Sequence, residues 1–487
     1  MNRQPLSTRH ILLIVFALIV LLRLITMGLY PLMDTTEARY AEMARKMVET
    51  GNWITPQFDY GVPFWGKPPL SIWLTASSFS LFGINEFTAR LAHLLPAGLV
   101  LWLTYQLARH RQTNNSALLG ITLLSGSLLF FGIAAGVMTE SALLFSTTLA
   151  MLAFWRAMDE SRAPNKNWGY LFFAALGIGM LAKGPVAVVL ILMPIGLWVL
   201  WHNRWSRLWQ SAPWIGGTLL MLAICLPWYL LAESRTPGFL EYFIVGEHWK
   251  RFLEPGWSGD LYGEAHTQPK GTIWLLWIIS AFPWSLWVIA YLLKKPFTKT
   301  PPLSLNTPWR SYFLLWSITP MLFFSMAGNV LLTYVITALP ALVILLSDFW
   351  GASQEQSSKQ RISSALILSL LIAPLIFSFF VASQQTLMRH DFSQIELLKT
   401  YNELSQNGKN GQLIALYQRQ HSGEFYSQGQ IPLLKEETKI ALQLTQPNRD
   451  FYIIEERDYQ RRLNESQRVQ LEKIEQYGLF YLLRKKP

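Results

Sequence analysis

The fold class this sequence predicts is mainly α: a polytopic membrane helical bundle of about 11 spans with a small C-terminal extracytoplasmic α/β domain. Three observations predict it. Apolar runs of about 20 residues, the length that crosses hydrocarbon at about 1.5 Å per residue, recur up to residue 383 and then stop. Of the 487 residues, 51% are hydrophobic, 14% aromatic and only 15% charged, where a soluble chain carries about a quarter. Lys and Arg gather between alternate runs, as they do in cytoplasmic loops.

The runs place spans near 11–30, 87–108, 116–136, 140–157, 168–184, 185–201, 212–232, 271–293, 311–328, 331–349 and 362–383. An odd number puts the two ends on opposite sides. With the amino terminus cytoplasmic, the inner segments hold 15 basic residues, among them Arg9, Arg109, Arg111, Arg204 and Arg310, against four acids, Asp159, Glu160, Asp348 and Glu355. The net charge of +11 is therefore topological, and no nucleic-acid partner is expected. Arg3 and Arg9 precede Ile11–Leu22 without a small-residue cleavage site, so the first run reads as a retained span. A lone Cys225 excludes an internal disulfide and a Cys-rich metal or redox centre.

Residues 1–383 thus form the transmembrane domain and 384–487 an exported one. The tail's turn signals at Asn407-Gly408 and Asn410-Gly411, strand-like Leu413–Tyr417, Asp450–Ile454 and Tyr477–Leu483, and a polar helical stretch near 458–475 give a small α/β module.

Two extracytoplasmic segments, about 31–86 and 233–270, are too long for simple turns, and a site belongs there. The first opens with Asp34-Thr-Thr-Glu37-Ala-Arg-Tyr-Ala-Glu. Its apolar residues at 40, 43, 44 and 47 have helical spacing and predict an amphipathic helix along the membrane surface. Asp34 and Glu37 sit at that helix's start, where acids also complement the dipole; Asp34 lies at the membrane boundary. In Gly66-Lys67-Pro68-Pro69 the prolines stiffen the loop that carries the lysine, as suits a phosphate, although a lysine snorkelling to the interface has the same pattern. Pro68–Phe82 is a second interfacial helix.

Glu140 begins the fourth span and is nearly the only ionisable group in about 40 apolar residues, while Lys183 occupies the turn between spans five and six. In the second loop Glu247, His248 and Arg251 fall within about one helical turn, with Glu264 and His266 further on. A guanidinium suits bidentate phosphate contact, and an imidazole suits phosphate, metal or a transferring proton. Arg23 inside the first span either snorkels or meets a carboxylate across the bundle, and Glu86 with Arg90 makes a structural i, i+4 pair. The span centres are nearly free of charge, unlike those of a transporter with a mid-depth site. The pattern suits an enzyme whose substrates are held by lipid tails.

Asp34-Thr-Thr-Glu-Ala-Arg-Tyr-Ala-Glu, Lys67-Pro-Pro, Leu181-Ala-Lys-Gly-Pro, Leu226-Pro-Trp and Glu247-His-Trp-Lys-Arg-Phe, in that order through about residues 10–350, resemble bacterial GT-C membrane glycosyltransferases. The nearest group is the protein mannosyltransferase and aminoarabinose (lipid A) transferase superfamily. The resemblance implies a polyprenyl-phosphate sugar donor, a lipid or glycan acceptor such as lipid A, and a site on the periplasmic face of a bacterial inner membrane. It implies that Asp34 is the catalytic carboxylate, as base or electrostatic stabiliser, with Glu140 as a second acid. It also implies that Lys67 and Arg251 hold the donor phosphate, accompanied by His248. Glu37, Lys183, Glu247 and Tyr334 complete the expected substrate-binding set. Gly66 stands where aminoarabinose transferases carry Glu, so a divalent metal remains an open cofactor without that ligand. Gly328–Tyr334 lacks their Lys-Gly-Lys turn, which points to a different acceptor or acceptor phosphate. Protein O-mannosylation, lipid-linked-sugar transport and a noncatalytic assembly role are the competing readings.

Overall fold

The computed structural model describes residues 7–161, 163–263, 267–294, 304–355, 362–386, 393–406, 408, 411–446 and 449–486. Glu264, His266, Asn407 and Asn410, marked above, lie outside them.

Helix α1 (Thr8–Thr26) starts where the Ser7 hydroxyl accepts from the His10 N–H. The first long loop then holds α2 (Thr36–Thr50), a hairpin of β1 (Gln57–Asp59) and β2 (Val62–Pro63), and α3 (Leu70–Phe82). A reciprocal Asn85/Thr88 capping box opens α4 (Glu86–Ala108). After it come α5 (Asn114–Ser125), α6 (Leu128–Ile133), α7 (Glu140–Ala157), α8 (Lys166–Lys183), α9 (Pro185–His202), α10 (Trp205–Ser211) and α11 (Trp214–Arg235). The second long loop carries a π-helix, Glu241–Lys250, running into α12 (Arg251–Leu253). The bundle closes with α13 (Thr272–Ser280), α14 (Trp284–Lys294), α15 (Pro308–Phe324), a 3-10 turn Leu332–Ala338 leading into α16 (Leu339–Glu355), and α17 (Ser364–Thr386).

Every expected span falls on helix. Among the described residues six helices are long and apolar enough to cross a membrane, and α13 with α14, bent by 113° at Pro283, makes up to seven. The others are shorter, less apolar or interrupted, as where Gly126 and Ser127 separate α5 from α6. Ala341, Val343 and Ile344 of α16 are fully buried, so this helix is a central post, whereas α1 turns Leu13, Ile14 and Leu21 outward. Glycine sets the closest helix approach: a Cβ at Gly217 of α11 would stand 2.2 Å from the Phe173 ring of α8.

Beyond α18 (Ile395–Ser405) the tail builds a five-stranded sheet in the order β4-β3-β5-β7-β6 from β3 (Leu413–Leu416), β4 (Leu433–Leu434), β5 (Phe451–Glu455), β6 (Leu471–Tyr477) and β7 (Phe480–Lys485). β3 runs parallel to both neighbours, and β5, β7 and β6 are antiparallel. The helical stretch expected near 458–475 is instead α21 (Glu456–Arg461), α22 (Glu465–Val469) and then β6. Asn464 caps a new helix inside the stretch, and β6 is an edge strand whose inner residues Leu471 and Tyr477 bracket an exposed polar run that gives no clear period. α19 (His421–Tyr426) and α20 (Glu437–Thr445) complete the tail.

The tail also overturns one expectation about α2. That helix does not lie open on a surface. Glu42, Arg45 and Lys46 on its polar face are buried with the apolar residues, because α19 covers it and brings Glu424 to 2.6 Å from the Lys46 ammonium. Opposite charge, not water, receives the polar face.

Candidate active site

Between α9, the π-helix, the end of α15 and the 3-10 turn lies a cavity of about 360 Å³. Its polar lining is Lys67, Lys183, Glu247, His248, Arg251, Asn329 and Tyr334. Leu143, Val186, Leu190, Ile244, Phe252 and Phe324 supply apolar walls. Six of the nine expected site residues thus meet in one place, from four separate stretches of sequence.

Local structure explains the convergence. Pro68 and Pro69 end the extended loop that holds Lys67, and the Tyr262 hydroxyl accepts from the Trp65 N–H while donating to the Pro63 carbonyl. At Gly184 the chain takes φ +83, and a Cβ there would meet the Phe243 ring at 2.6 Å. This tight break between α8 and α9 leaves Lys183 at the helix end with its side chain in the cavity wall. The π-helix widens the turn that presents Glu247 and His248, a geometry common at functional sites.

Glu247 is the hub. Its carboxylate accepts from Lys67 Nζ at 3.0 Å and from Arg251 Nη1 at 3.0 Å, and Asp260 adds a contact to Arg251 at 3.2 Å. Burial pushes the Glu247 carboxyl up, but Lys67 and Arg251 outweigh it and hold it below its ordinary value. Burial in turn lowers Lys67 below the usual lysine value. His248 turns both ring nitrogens to main-chain carbonyls, Nδ1 to Phe243 at 2.8 Å and Nε2 to Lys183 at 3.2 Å. Burial depresses its pKa, and the Nε2 contact ties the π-helix to the Lys183 turn.

A second cluster adjoins the cavity. Glu140 Oε1 accepts from Lys183 Nζ at 2.8 Å and from the Thr333 hydroxyl at 3.0 Å, and the Lys183 ammonium lies 5.2 Å from the Tyr334 ring centre. Neither Thr333 nor Asp260 stood out in sequence, although a hydroxyl beside Tyr334 and an acid in the 233–270 loop were visible signals. Asn329 was equally inconspicuous; its amide donates to the Arg251 and Glu254 carbonyls at 2.6 and 3.0 Å and fixes the loop after α12.

Asp34 and Glu37 are placed elsewhere. Glu37 accepts from Arg90 Nη2 at 2.8 Å and Nε at 3.2 Å and from the Val137 N–H at 3.3 Å. Arg90 also donates to the Met27, Tyr30 and Pro31 carbonyls. The expected Glu86–Arg90 pair is thus replaced by Glu37–Arg90, because the buried guanidinium finds a buried carboxylate across the fold. Asp34 is not among the residues lining the cavity. Its carboxylate accepts from both the N–H and the hydroxyl of Ser422 in the tail. Burial pushes its pKa up to about 6 against the lowering effect of those bonds.

Among the described residues no group of three or more His, Cys, Asp or Glu side chains is gathered to hold a metal ion. At Gly66 a Cβ would stand 2.9 Å from the Phe64 ring, so a carboxylate there would need that ring to move. Among the described residues the donor set does not fit a metal.

This arrangement of helices and tail defines a GT-C-fold membrane protein. ArnT from Cupriavidus metallidurans, solved bound to undecaprenyl phosphate and in the apo state, superposes with TM-scores of 0.76 and 0.75 at 17% identity, covering 97% of each chain. Residues 6–243 match the family model for dolichyl-phosphate-mannose-protein mannosyltransferase. Curated relatives include undecaprenyl phosphate-alpha-4-amino-4-deoxy-L-arabinose arabinosyl transferase 1 of Pseudomonas fluorescens, 30% identical over 69% of this chain and 56% of its own length. The transferase of the same name from Erwinia tasmaniensis is 29% identical over 71% and 60%. Over these stretches the chain is similar to protein mannosyltransferases and aminoarabinose transferases, and it spans less than two thirds of the length of these curated relatives.

Proposed function

We propose that the chain is a bacterial inner-membrane glycosyltransferase that moves a sugar from a polyprenyl phosphate to an extracytoplasmic acceptor, lipid A or another envelope glycan. One observation carries the reading: Lys67 and Arg251 are held on either side of Glu247 at a cavity that also has apolar walls, among them Leu143, Val186, Leu190 and Phe324. Fixed cations suit a phosphate, and the apolar walls suit the isoprenoid that bears it. The names of the curated relatives support the same donor chemistry.

In this reading the bond between sugar C1 and the phosphate oxygen breaks, the phosphate leaves with the electron pair, and the acceptor oxygen bonds to C1. Lys67 and Arg251 neutralise the developing charge, with Lys183 and Tyr334 completing the phosphate side. Glu247 and His248 hold these groups in register. Asp34 takes the acceptor's proton if the acceptor is a hydroxyl, and orients it if it is already ionised. Glu140 serves as the second acid beside Lys183, and Glu37 anchors the loop that bears Asp34. A protein hydroxyl as acceptor would use the same chemistry, and the mannosyltransferase family match favours keeping it as the second reading.

The topology belongs to the same proposal: 11 crossings, a cytoplasmic amino terminus, a transmembrane domain of residues 1–383 and a periplasmic domain of 384–487. The positive-inside distribution of Lys and Arg supports it, and a periplasm-dependent reporter fused after residue 487 tests it. For the reaction, the test is transfer from a polyprenyl-phosphate sugar in proteoliposomes, with mass spectrometry of envelope lipids, glycans and proteins from cells with and without the chain. The reading stands if one acceptor loses a sugar-sized mass and Lys67→Ala with Arg251→Ala abolishes donor binding. It falls if lipid-linked sugar merely changes leaflet without product.

A further inference from the structure

A second cavity, of about 600 Å³, opens between α1, α4, α5 and α6, lined by other residues than the site above. Leu13, Phe16, Val20, Leu94, Leu101 and Trp102 make most of it apolar. It runs from Arg9 to Arg23, 14 residues or about 21 Å along α1. That length exceeds half of the ~30 Å hydrocarbon core, the span of one acyl chain.

Arg23 gives the groove its chemistry. The side chain is 3% exposed, in a helix whose residues 11–25 are otherwise apolar. A buried charge in such a place is costly unless paired and fully hydrogen-bonded. Here Nη2 donates to the Gly132 carbonyl at 3.1 Å, Nη1 reaches the Thr26 hydroxyl only at 3.5 Å, and Nε has no hydrogen-bond partner. The Phe377 ring lies 5.0 Å from the guanidinium carbon. Among the described residues no carboxylate forms an ion pair with it, so the pairing across the bundle that the sequence allowed does not occur. A guanidinium with unused donor capacity at one end of an apolar groove matches a phosphate joined to an acyl chain.

We propose that this groove binds a phospholipid of the leaflet beside the 31–86 loop, its phosphate on Arg23 and one acyl chain along α1 toward Arg9. The site is separate from the Lys67–Arg251 cavity and does not depend on the activity proposed for it.

The test uses delipidated full-length protein and native mass spectrometry, with phosphatidylglycerol, diacylglycerol of the same chains, and inorganic phosphate as probes. Phosphatidylglycerol should bind at least about tenfold more tightly than diacylglycerol, the scale of a charge-assisted hydrogen bond, and inorganic phosphate should not compete. Arg23→Gln should remove that preference, while Arg9→Gln and Lys67→Ala preserve it. Gly98 lines the groove and has nothing within 4 Å of an added Cβ, so Gly98→Phe fills the chain's path while leaving Arg23 in place. It should weaken binding of both lipids about tenfold, and it decides the matter if Arg23→Gln does not fold. Equal affinity for the two lipids, unchanged phosphatidylglycerol binding by Arg23→Gln or Gly98→Phe, or dependence on Arg9 instead would overturn the proposal.

Discussion

Ser422 gives both its backbone N–H and its hydroxyl to the carboxylate of Asp34, 388 positions earlier in the chain. The tail therefore reaches the first long loop at the acid that the family resemblance marks as catalytic. Burial raises the Asp34 pKa to about 6, and the Ser422 bonds pull the other way. Ser422→Ala removes one of those bonds and should move the Asp34 pKa further up. If ionised Asp34 is required, the acidic limb of the transfer-rate profile lies near pH 6 in the parent and shifts to higher pH in the variant. An unchanged limb would detach Asp34 from the chemistry.

The same residue predicts a conflict between stability and activity. Its folded pKa of about 6 exceeds the ordinary value of 3.8, so the folded chain binds the proton more tightly than the unfolded chain does. Stability from this group falls as pH rises from about 4 to 6, and the penalty is complete above that window. Asp34→Asn should therefore raise the neutral-pH unfolding free energy, on the order of 1–3 kcal/mol, while abolishing transfer and sparing donor binding. Thermal unfolding at pH 5 and 7.5, run beside a transfer assay, checks both halves; a variant that still transfers sugar rejects Asp34 as the catalytic carboxylate.

Glu247 neutralises two cations that the proposed donor phosphate would also contact. Glu247→Gln should leave Lys67 and Arg251 undercompensated and destabilise the ligand-free protein by about 3 kcal/mol. Added polyprenyl phosphate should then raise the Tm of the variant more than that of the parent, because the phosphate restores the missing charge. Equal shifts in the two proteins would mean that the phosphate binds elsewhere.

Lys183 and Glu140 form a buried pair at 2.8 Å, and removing one partner leaves a buried charge. Lys183→Met or Glu140→Gln alone should cost about 3–5 kcal/mol, and the double variant should recover a large part of it. Transfer should stay low in the double variant if both groups serve the reaction. Recovery of activity along with stability would make the pair structural.

The bundle was legible because apolar length is a local signal, and so was most of the cavity, because Lys67, Lys183 and Arg251 are charges that an apolar chain must use. What stayed hidden depends on contacts across the fold. Arg90 has an acid at i−4 in sequence but pairs with Glu37, and nothing local marks Ser422 as the partner of Asp34. Helix α2 has the period of a surface helix, and its polar face reads as solvated. Glu424, which meets Lys46 on that face, lies nearly 400 positions away in a polar segment whose own pattern is ambiguous. Span counting has a related weakness: α5 and α6 carry a continuous apolar run, but their break at Gly126 and Ser127 turns it into two short helices.

That docking of the tail gives the last prediction. Glu424 joins Lys46 at 2.6 Å and Arg419 at 2.8 Å, and Arg419 also reaches Asp59 at 3.0 Å, so one acid neutralises a cation from each side of the contact. Lys46 is fully buried, and an apolar substitution at 424 leaves it the Phe58 carbonyl at 3.1 Å and, as ion-pair partners, only Glu42 and Asp59 at 3.7 Å. Glu424→Ala should loosen α19 from α2, increasing hydrogen exchange in both helices at least tenfold while the amides of β5 and β7 stay protected. Because Ser422 sits in α19, the Asp34 carboxylate loses its tail contacts in the same event, and transfer should fall without loss of donor binding. Uniform deprotection of the sheet would instead mean that Glu424 holds the tail's own fold together.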